Sequence, residues 1–194
     1  ILIKKTQKRK KFFRYQLKEF LVMADRQGRD FNSYRGSYAG ALGIPQFMPD
    51  NYRRLAVDFD KDGKIDIINS VQDAVGSIGN FLRYHGWVPN ESVIITVPKS
   101  NHLNTNNIKL NPSRTNITLP ELIPNWQKIK YFQTIISDFN HDSASVALLE
   151  QSEDGNIKQW LGFENFFTLF RYNPRLFYAL AVASLADALN ECGT

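Results

Sequence analysis

From Asp58 to Asp66 the chain reads DFDKDGKID, and this run constrains the fold more than any other stretch. Four aspartates within nine residues repel one another unless a hard cation neutralises them. With Asp58 as position 1, Asp60 is at 3, Asp62 at 5, Gly63 at 6, Lys64 at 7, Ile65 at 8 and Asp66 at 9. This is the pattern of the first nine positions of an EF-hand loop: alternating carboxylates, a glycine at the sharp turn and a backbone carbonyl at position 7. Ile65 is the expected apolar tether of the loop to the core. The pattern departs at position 12, where Asn69 stands in place of a bidentate glutamate. Asp73, at the start of the following helix, is the candidate to close the shell instead. The expected metal set is therefore Asp58, Asp60, Asp62, Lys64 through its carbonyl, Asp66 and Asp73. Calcium, an oxygen-seeking ion, suits it as a structural cofactor. No paired second hand is present, so nothing predicts an opening switch. The bland reading is an acidic surface turn without metal.

Just upstream lies GSYAGALGIPQFMPDNY, residues 36–52. Gly36, Gly40, Gly43, Pro45 and Pro49 break any regular element. The loop around Gln46, Phe47, Met48 and Pro49 can present backbone and a side-chain amide to a ligand. On either side the chain reads as helix. Residues 9–27 carry Phe13, Leu17, Phe20, Leu21 and Ala24 at helical spacing, with Gly28 to end it. A short helix is expected near 49–56. Another over 70–86 has Val71, Ala74, Val75, Ile78, Phe81 and Leu82 as its apolar face.

Beyond residue 90 the composition changes. Residues 91–118 are rich in Asn, Thr and Ser, with a strand-like run at Val93–Val97. Short helical turns are expected at 119–123 and 125–128. Strands are expected at Tyr131–Ile136 and Ser145–Glu150, joined by the turn-rich SDFNHD, and again at 155–162. The chain then returns to helix over 163–190, broken at Asn173-Pro174. The predicted fold class is α+β, mainly α. Its segments are a helical part at 1–90 with the cation loop at 58–73, a small β-rich insertion at 91–160, and C-terminal helices at 161–194 that return to the core.

The chain has 194 residues, enough for one or two domains with a real core. Its formal net charge of +5 is concentrated in Lys4, Lys5, Lys8, Arg9, Lys10, Lys11, Arg14 and Lys18. Such a run is a solvated helix face or loose end, or a surface for a polyanion. No nucleic-acid motif accompanies it. The lone Cys192 rules out an internal disulfide and a cysteine zinc site. His85, His102 and His141 share no ligand spacing, which argues against a zinc hydrolase. No apolar run reaches the roughly 18–20 residues of a membrane span. The chain starts at Ile1 without Met and is read as a fragment or processed form.

Together these motifs resemble the lytic murein transglycosylase B family, enzymes that cleave peptidoglycan in Gram-negative bacteria. The resemblance is carried by GSYAGALGIPQFMPDNY (36–52), DFDKDGKIDI (58–67), SVQDAVGSIGNFLRYHGW (70–87) and GFENFFTLFRYNPRLFYALAV (162–182), with FFRYQLKEFLVMADRQ (12–27) matching the preceding helix. Residues 91–140 match loosely. The resemblance implies a lysozyme-like core with a small β insertion and one EF-hand-like calcium loop. It also implies a peptidoglycan glycan strand as partner and a monomeric protein. The location it implies is the periplasm, with any lipid anchor to the outer membrane lying outside this chain. Ser37 and Gln46, with Phe47 beside them, match positions that line the family's glycan groove. Tyr172, Asn173 and Tyr178 match a cluster on the opposite wall. Such residue types suit a sugar polymer, which needs amide and hydroxyl partners and aromatic faces. Where the family often has Tyr-Gly before the glutamine, this chain has Ile44-Pro45. Phe163, Phe166, Phe167 and Phe170 read as core.

In the family a single glutamate protonates the glycosidic oxygen and then accepts the proton of the muramoyl C6 hydroxyl, giving a 1,6-anhydro product. It sits in a Glu-Thr/Ser-x-x-Gly motif upstream of the helix matching residues 12–27. None of Glu19, Glu91, Glu121, Glu150, Glu153, Glu164 or Glu191 lies in such a motif. Glu19 reads as a solvated helix position. No catalytic residue is therefore assigned, and the chain alone is expected to be inactive. The alternatives are a non-catalytic peptidoglycan-binding module and a calcium-binding interaction domain.

Overall fold

The computed structural model describes residues 2–97, 147–153 and 156–192. The predicted turns at 119–123 and 125–128 and the strand at Tyr131–Ile136 with its SDFNHD connection lie outside these residues. The chain divides into two compact units, Ile1–Tyr84 and His85–Thr194. The last helices share a unit with the strands.

The first unit is helical. Helix α1 spans Leu2–Arg26, starting earlier than the apolar periodicity suggested. Gly28 ends it in the left-handed region at φ +60, with Gln27 and Arg29 amides donating back to Met23 and Ala24 carbonyls. Its buried stripe is Gln16, Glu19, Met23 and Ala24. Phe13, Leu17 and Leu21, expected inward, are exposed. The stripe is rotated because its two polar members have partners. Gln16 Oε1 accepts from the Asp50 amide at 3.2 Å, and Glu19 pairs with Arg53. Glu19 is thus buried, not solvated as its sequence neighbourhood suggested.

Helix α2, Pro49–Leu55, opens on a proline, whose missing N–H is no loss in a first turn. Helix α3, Val71–Tyr84, is capped by Ser70, whose Oγ accepts from the Asp73 amide at 3.2 Å. Its buried face is Asp73, Ala74, Ser77 and Phe81. Val71 and Val75, predicted to face the core, are exposed. Two polar side chains take their place because each bonds loop backbone: Ser77 Oγ accepts from the Val57 amide at 3.0 Å, and Asp73 holds the cation loop. Phe47 and Phe81 pack at 5.7 Å between ring centroids in the core of this unit.

The second unit contains an antiparallel three-stranded sheet in the order β1-β3-β2 among the described residues. Strand β1 is Ile94–Val97, β2 is Ala147–Glu153 and β3 is Asn156–Gly162. Leu161 on the central strand faces Ile95 on one side and Leu148 on the other, and all three are buried. Helix α4, Glu164–Tyr172, follows directly, and α5, Leu176–Cys192, resumes after the expected break. Gly162 is needed where β3 meets α4, since a Cβ there would lie 2.8 Å from the Phe166 ring. Phe163, Phe166 and Phe167 are core residues, as expected. Asn165 is fully buried and behaves like a spare peptide group: its Oδ1 accepts from the Val88 amide and its Nδ2 donates to the Val88 and Glu91 carbonyls, all at 2.8 Å.

Candidate functional site

The glycine- and proline-rich segment folds into a compact loop pinned from within. Leu42 and Phe47 exchange backbone bonds of 2.8 and 3.0 Å, and Gly36 bridges Leu42 from the other side. Gln46 sits between them in the left-handed region, φ 51. A non-glycine residue there carries a strain of about 1–2 kcal/mol. Its side-chain Nε2 donates to the Gly43 carbonyl at 2.9 Å and so caps its own turn. Ser37 is exposed, with its Oγ accepting from the Ala41 amide at 3.1 Å. Both residues therefore present polar atoms at the surface of one small loop. Phe47 does not join them: only 2% of it is exposed, and its ring packs in the core. The expectation that it lies beside a bound sugar is corrected, because the strand-like alternation along the loop turns it inward as Gln46 turns out.

A second cavity wall is formed by the N-terminal part of α1. Phe13, Gln16, Leu17 and Phe20 face Gly36, Ser37, Met48 and Pro49 across a depression of about 350 Å³. Apolar side chains beside a hydroxyl and loop backbone are what a sugar's C–H and O–H faces require.

The acidic loop folds around its own carboxylates. Asp58 Oδ2 accepts from the Gly63 amide at 2.9 Å, Asp60 from Asp62 at 3.2 Å, and Asp62 from Lys64 at 2.8 Å. Lys61 and Gly63 take positive φ to make the bend. Carboxylate oxygens of Asp58, Asp60 and Asp62 all lie within 4.8 Å of one another. That is about twice a calcium–oxygen distance of ~2.4 Å, so one ion can touch all three. Asp58 Oδ1 is buried with no hydrogen-bond partner among the described residues, an orphan that a cation would satisfy. The residues present thus fit a hard divalent ion.

Asp66 and Asp73 are placed differently from these three. The Asp66 carboxylate caps the turn that follows, accepting from the Ile68 and Asn69 amides and from Asn69 Nδ2. Burial alone would raise its pKa, but these bonds and the nearby Arg29 outweigh burial and lower it. Asp73 is buried, and its two oxygens accept from the Phe59 and Asp66 amides, each at 2.7 Å. Burial opposes its charge as well, and the backbone donors of Asp66, Phe59 and Asp60 more than offset that, so its carboxyl is also held below the usual range. Each bonded oxygen keeps a second lone pair. Ile65 is not the tether the pattern suggested, being 36% exposed, whereas Ile67 is fully buried. The side chain two places further along alternates to the core side.

Ile67 also joins the two loops. Its carbonyl accepts from the Ile44 amide at 2.9 Å. A Cβ at Gly43, where φ is +68, would lie 2.5 Å from that same oxygen. A further network was not legible in the sequence: Tyr34 donates to Gln27 Oε1 at 2.6 Å, Gln27 Nε2 donates to Tyr52, and Tyr52 donates to the Ile65 carbonyl at 2.6 Å. Burial pushes the Tyr52 hydroxyl up to about 12. No spacing rule links positions so far apart in the chain.

In the second unit, Tyr172 and Tyr178 stack at 6.2 Å with an interplanar angle of 7°. Burial, and then the neighbouring Tyr178, raise the Tyr172 pKa. Asn173 caps α4, its amide donating to the Leu169 carbonyl at 3.1 Å, and is half-buried. The sequence-derived cluster of three is thus brought together around one helix end.

A family model described as a transglycosylase SLT domain matches residues 3–187. The chain is 34% identical over 182 residues to the membrane-bound lytic murein transglycosylase B of Escherichia coli (strain K12), covering 94% of this chain and 47% of that protein. It therefore spans about half the length of that curated relative. It is similar to the Escherichia coli lytic transglycosylase Slt35 in complex with calcium, at 30% identity and a TM-score of 0.75, covering 96% of this chain and 55% of that one. It is also similar to SltB3 of Pseudomonas aeruginosa in complex with NAG-NAM-pentapeptide, at 27% identity and a TM-score of 0.74, covering 93% of this chain and 46% of that one. The mostly helical fold with a small sheet is that of lysozyme-like lytic transglycosylases.

Proposed function

The chain belongs to the transglycosylase SLT domain family, and from that premise we propose that it supplies glycan-binding and cation-binding parts of a peptidoglycan lytic transglycosylase. The observation that carries this reading is the exposed pair Ser37 and Gln46 on a loop bonded through Ile44 to the cation loop at Ile67. A strained, internally capped loop holds its polar atoms at fixed positions before a ligand arrives, which reduces the entropy lost on binding. Ser37 and Gln46 are the glycan contacts of the first unit, and Tyr172, Asn173 and Tyr178 are the candidate glycan contacts of the second, each taken by itself.

The parent enzyme cleaves the MurNAc–GlcNAc bond. An acid protonates the glycosidic oxygen, the C6 hydroxyl attacks C1, and its proton passes to the resulting carboxylate. A 1,6-anhydro ring forms and no water is consumed. None of the seven glutamates of this chain is assigned as that acid. Glu19 is ion-paired to Arg53, an engagement that gives it a structural part in holding α1 to α2. The cation is calcium, held by Asp58, Asp60, Asp62 and the Lys64 carbonyl, with Asp73 or Asp66 completing the shell. Its role is to hold the turn that braces Ile67. The protein acts in the periplasm. Among the described residues no helix is long and apolar enough to cross a membrane.

The test is co-sedimentation with purified sacculi. The chain is expected to be retained, retention is expected to weaken several-fold in Gln46→Ala, and no anhydromuropeptides are expected by mass spectrometry. Loss of all retention would overturn glycan binding, and released anhydromuropeptides would overturn the absence of an acid.

A further inference from the structure

Ser70 stands one place past Asn69, where the acidic loop departs from the EF-hand pattern. It caps α3, and its hydroxyl makes a second bond besides. Ser70 Oγ lies 3.0 Å from Asp60 Oδ2, ten residues back in the chain, and 3.2 Å from the Asp73 amide nitrogen. The direction of both bonds is fixed. A carboxylate accepts and an amide N–H donates, so the single hydroxyl proton goes to Asp60 while an oxygen lone pair takes the amide. The backbone of Ser70 is held as well. Its amide donates to the Asp66 carbonyl at 2.9 Å, and its carbonyl accepts from the Ala74 amide at 3.1 Å. The hydroxyl therefore reaches Asp60 from a fixed point.

Asp60 is the member of the cluster held least by its own loop. Asp58 and Asp62 accept from loop amides at 2.9 and 2.8 Å, whereas the loop amide that reaches Asp60 stands at 3.2 Å. Its side chain is exposed, so packing does not fix its rotamer. Position 12 gives no help. Asn69 is turned to Asp66, with Nδ2 donating to Oδ2 at 2.8 Å and the amide donating to Oδ1 at 3.0 Å. A serine at an N-cap does its work by accepting from a helix amide and needs no carboxylate partner. The bond to Asp60 is thus additional to the cap. It falls on one of three carboxylates whose oxygens all lie within 4.8 Å of one another.

We propose that Ser70 is the positioning residue of the cation site, an inference that rests on the cation reading given above. Its hydroxyl keeps the Asp60 carboxylate turned towards those of Asp58 and Asp62 before an ion arrives, and it ties the cluster to the first turn of α3. Partners of this kind, one shell outside the ligands, change metal affinity by about 10–100-fold. The tie also acts in reverse. An ion that fixes Asp60 fixes Ser70, and so tightens the cap on the Asp73 amide.

The experiment is calorimetric titration of the chelator-stripped chain with calcium, beside thermal melts in chelator. Ser70→Gly removes the hydroxyl but leaves a residue that N-caps accept. It is expected to raise the calcium Kd about tenfold while the melt in chelator stays close to that of the parent chain. Ser70→Thr keeps the hydroxyl and is expected to bind calcium as the parent does. A serine that only capped α3 would shift the melt in chelator and leave the Kd alone. Amide hydrogen exchange supplies a readout that needs no variant. Calcium is expected to slow the Asp73 amide more than the Phe81 amide further along α3. An unchanged Kd in Ser70→Gly, a threonine variant as weak as the glycine one, or equal slowing of the two amides would overturn the inference. A parent chain that binds no calcium would overturn the cation reading and this one with it. Calcium binding that Ser70→Gly leaves intact removes Ser70 alone.

Discussion

The Ile44 amide donates a 2.9 Å hydrogen bond to the carbonyl of Ile67, so the loop that displays Gln46 is fastened to the residue that anchors the acidic loop. Gly43 makes this approach possible, because its φ of +68 and the 2.5 Å gap to the Ile67 oxygen both exclude a side chain. Gly43→Ala should destabilise the chain by about 2–4 kcal/mol, combining left-handed strain with backbone displacement. Urea denaturation at constant m-value is the check. A change under about 0.5 kcal/mol, the usual range for neutral surface sites, would show that the junction is slack.

Calcium should raise the melting temperature, because an ion that binds only the folded loop stabilises it by about 2.7 kcal/mol at a hundred times its dissociation constant. Asp60→Ala with Asp62→Ala removes two of the three clustered carboxylates. Differential scanning calorimetry with calcium and with chelator should show the shift in the parent chain and none in the double variant. A shift that survives would remove this loop as the site.

Asp73 carries a pH signature that can be read in chelator. Its folded pKa lies below the ordinary carboxylate value, so its stabilisation is present above about pH 4, near the unfolded pKa. That stabilisation is lost as the pH falls through the lower folded value. Asp73→Asn leaves one of the Phe59 and Asp66 amides facing an NH2 group, which should cost about 1–3 kcal/mol at neutral pH. The gap between the two proteins should narrow as the pH drops below about 4. A gap that is independent of pH would mean that the charge of Asp73 does not hold the loop.

Glu19 and Arg53 form an ion pair that is asymmetric in burial, with the Glu19 side chain 8% exposed and that of Arg53 36%. Removing the exposed partner strands a buried charge, while neutralising the buried one does not. Arg53→Met should therefore destabilise more than Glu19→Gln in thermal melts at neutral pH. The reverse order would show that Glu19 contributes through its shape alone.

The local chemistry of this chain was written in its residues. The spacing of Asp58, Asp60 and Asp62 dictated a bend lined with oxygen, because only their side chains and the glycine that follows them, Gly63, were needed. The helix near Pro49, the strands at 94–97 and 156–162 and the break at Asn173 were legible for the same reason: local propensity and turn chemistry settle them. The family was legible too, since ordered motifs survive where single ones are ambiguous.

What the tertiary structure decided was direction and partnership. Periodicity put Leu17, Val71 and Val75 inside, yet Gln16, Glu19, Asp73 and Ser77 are buried there instead. A polar side chain can enter the core when a distant backbone amide or guanidinium meets it, and no local rule reports that partner. Phe47 turned inward, and Ile67 rather than Ile65 became the anchor, because each loop is registered against the other and not against its own sequence. The chain by itself determined which residues could bind a cation and a sugar. Only the contacts between segments far apart in sequence decided which of their atoms remain free to do so, because burial and hydrogen bonding are properties of pairs.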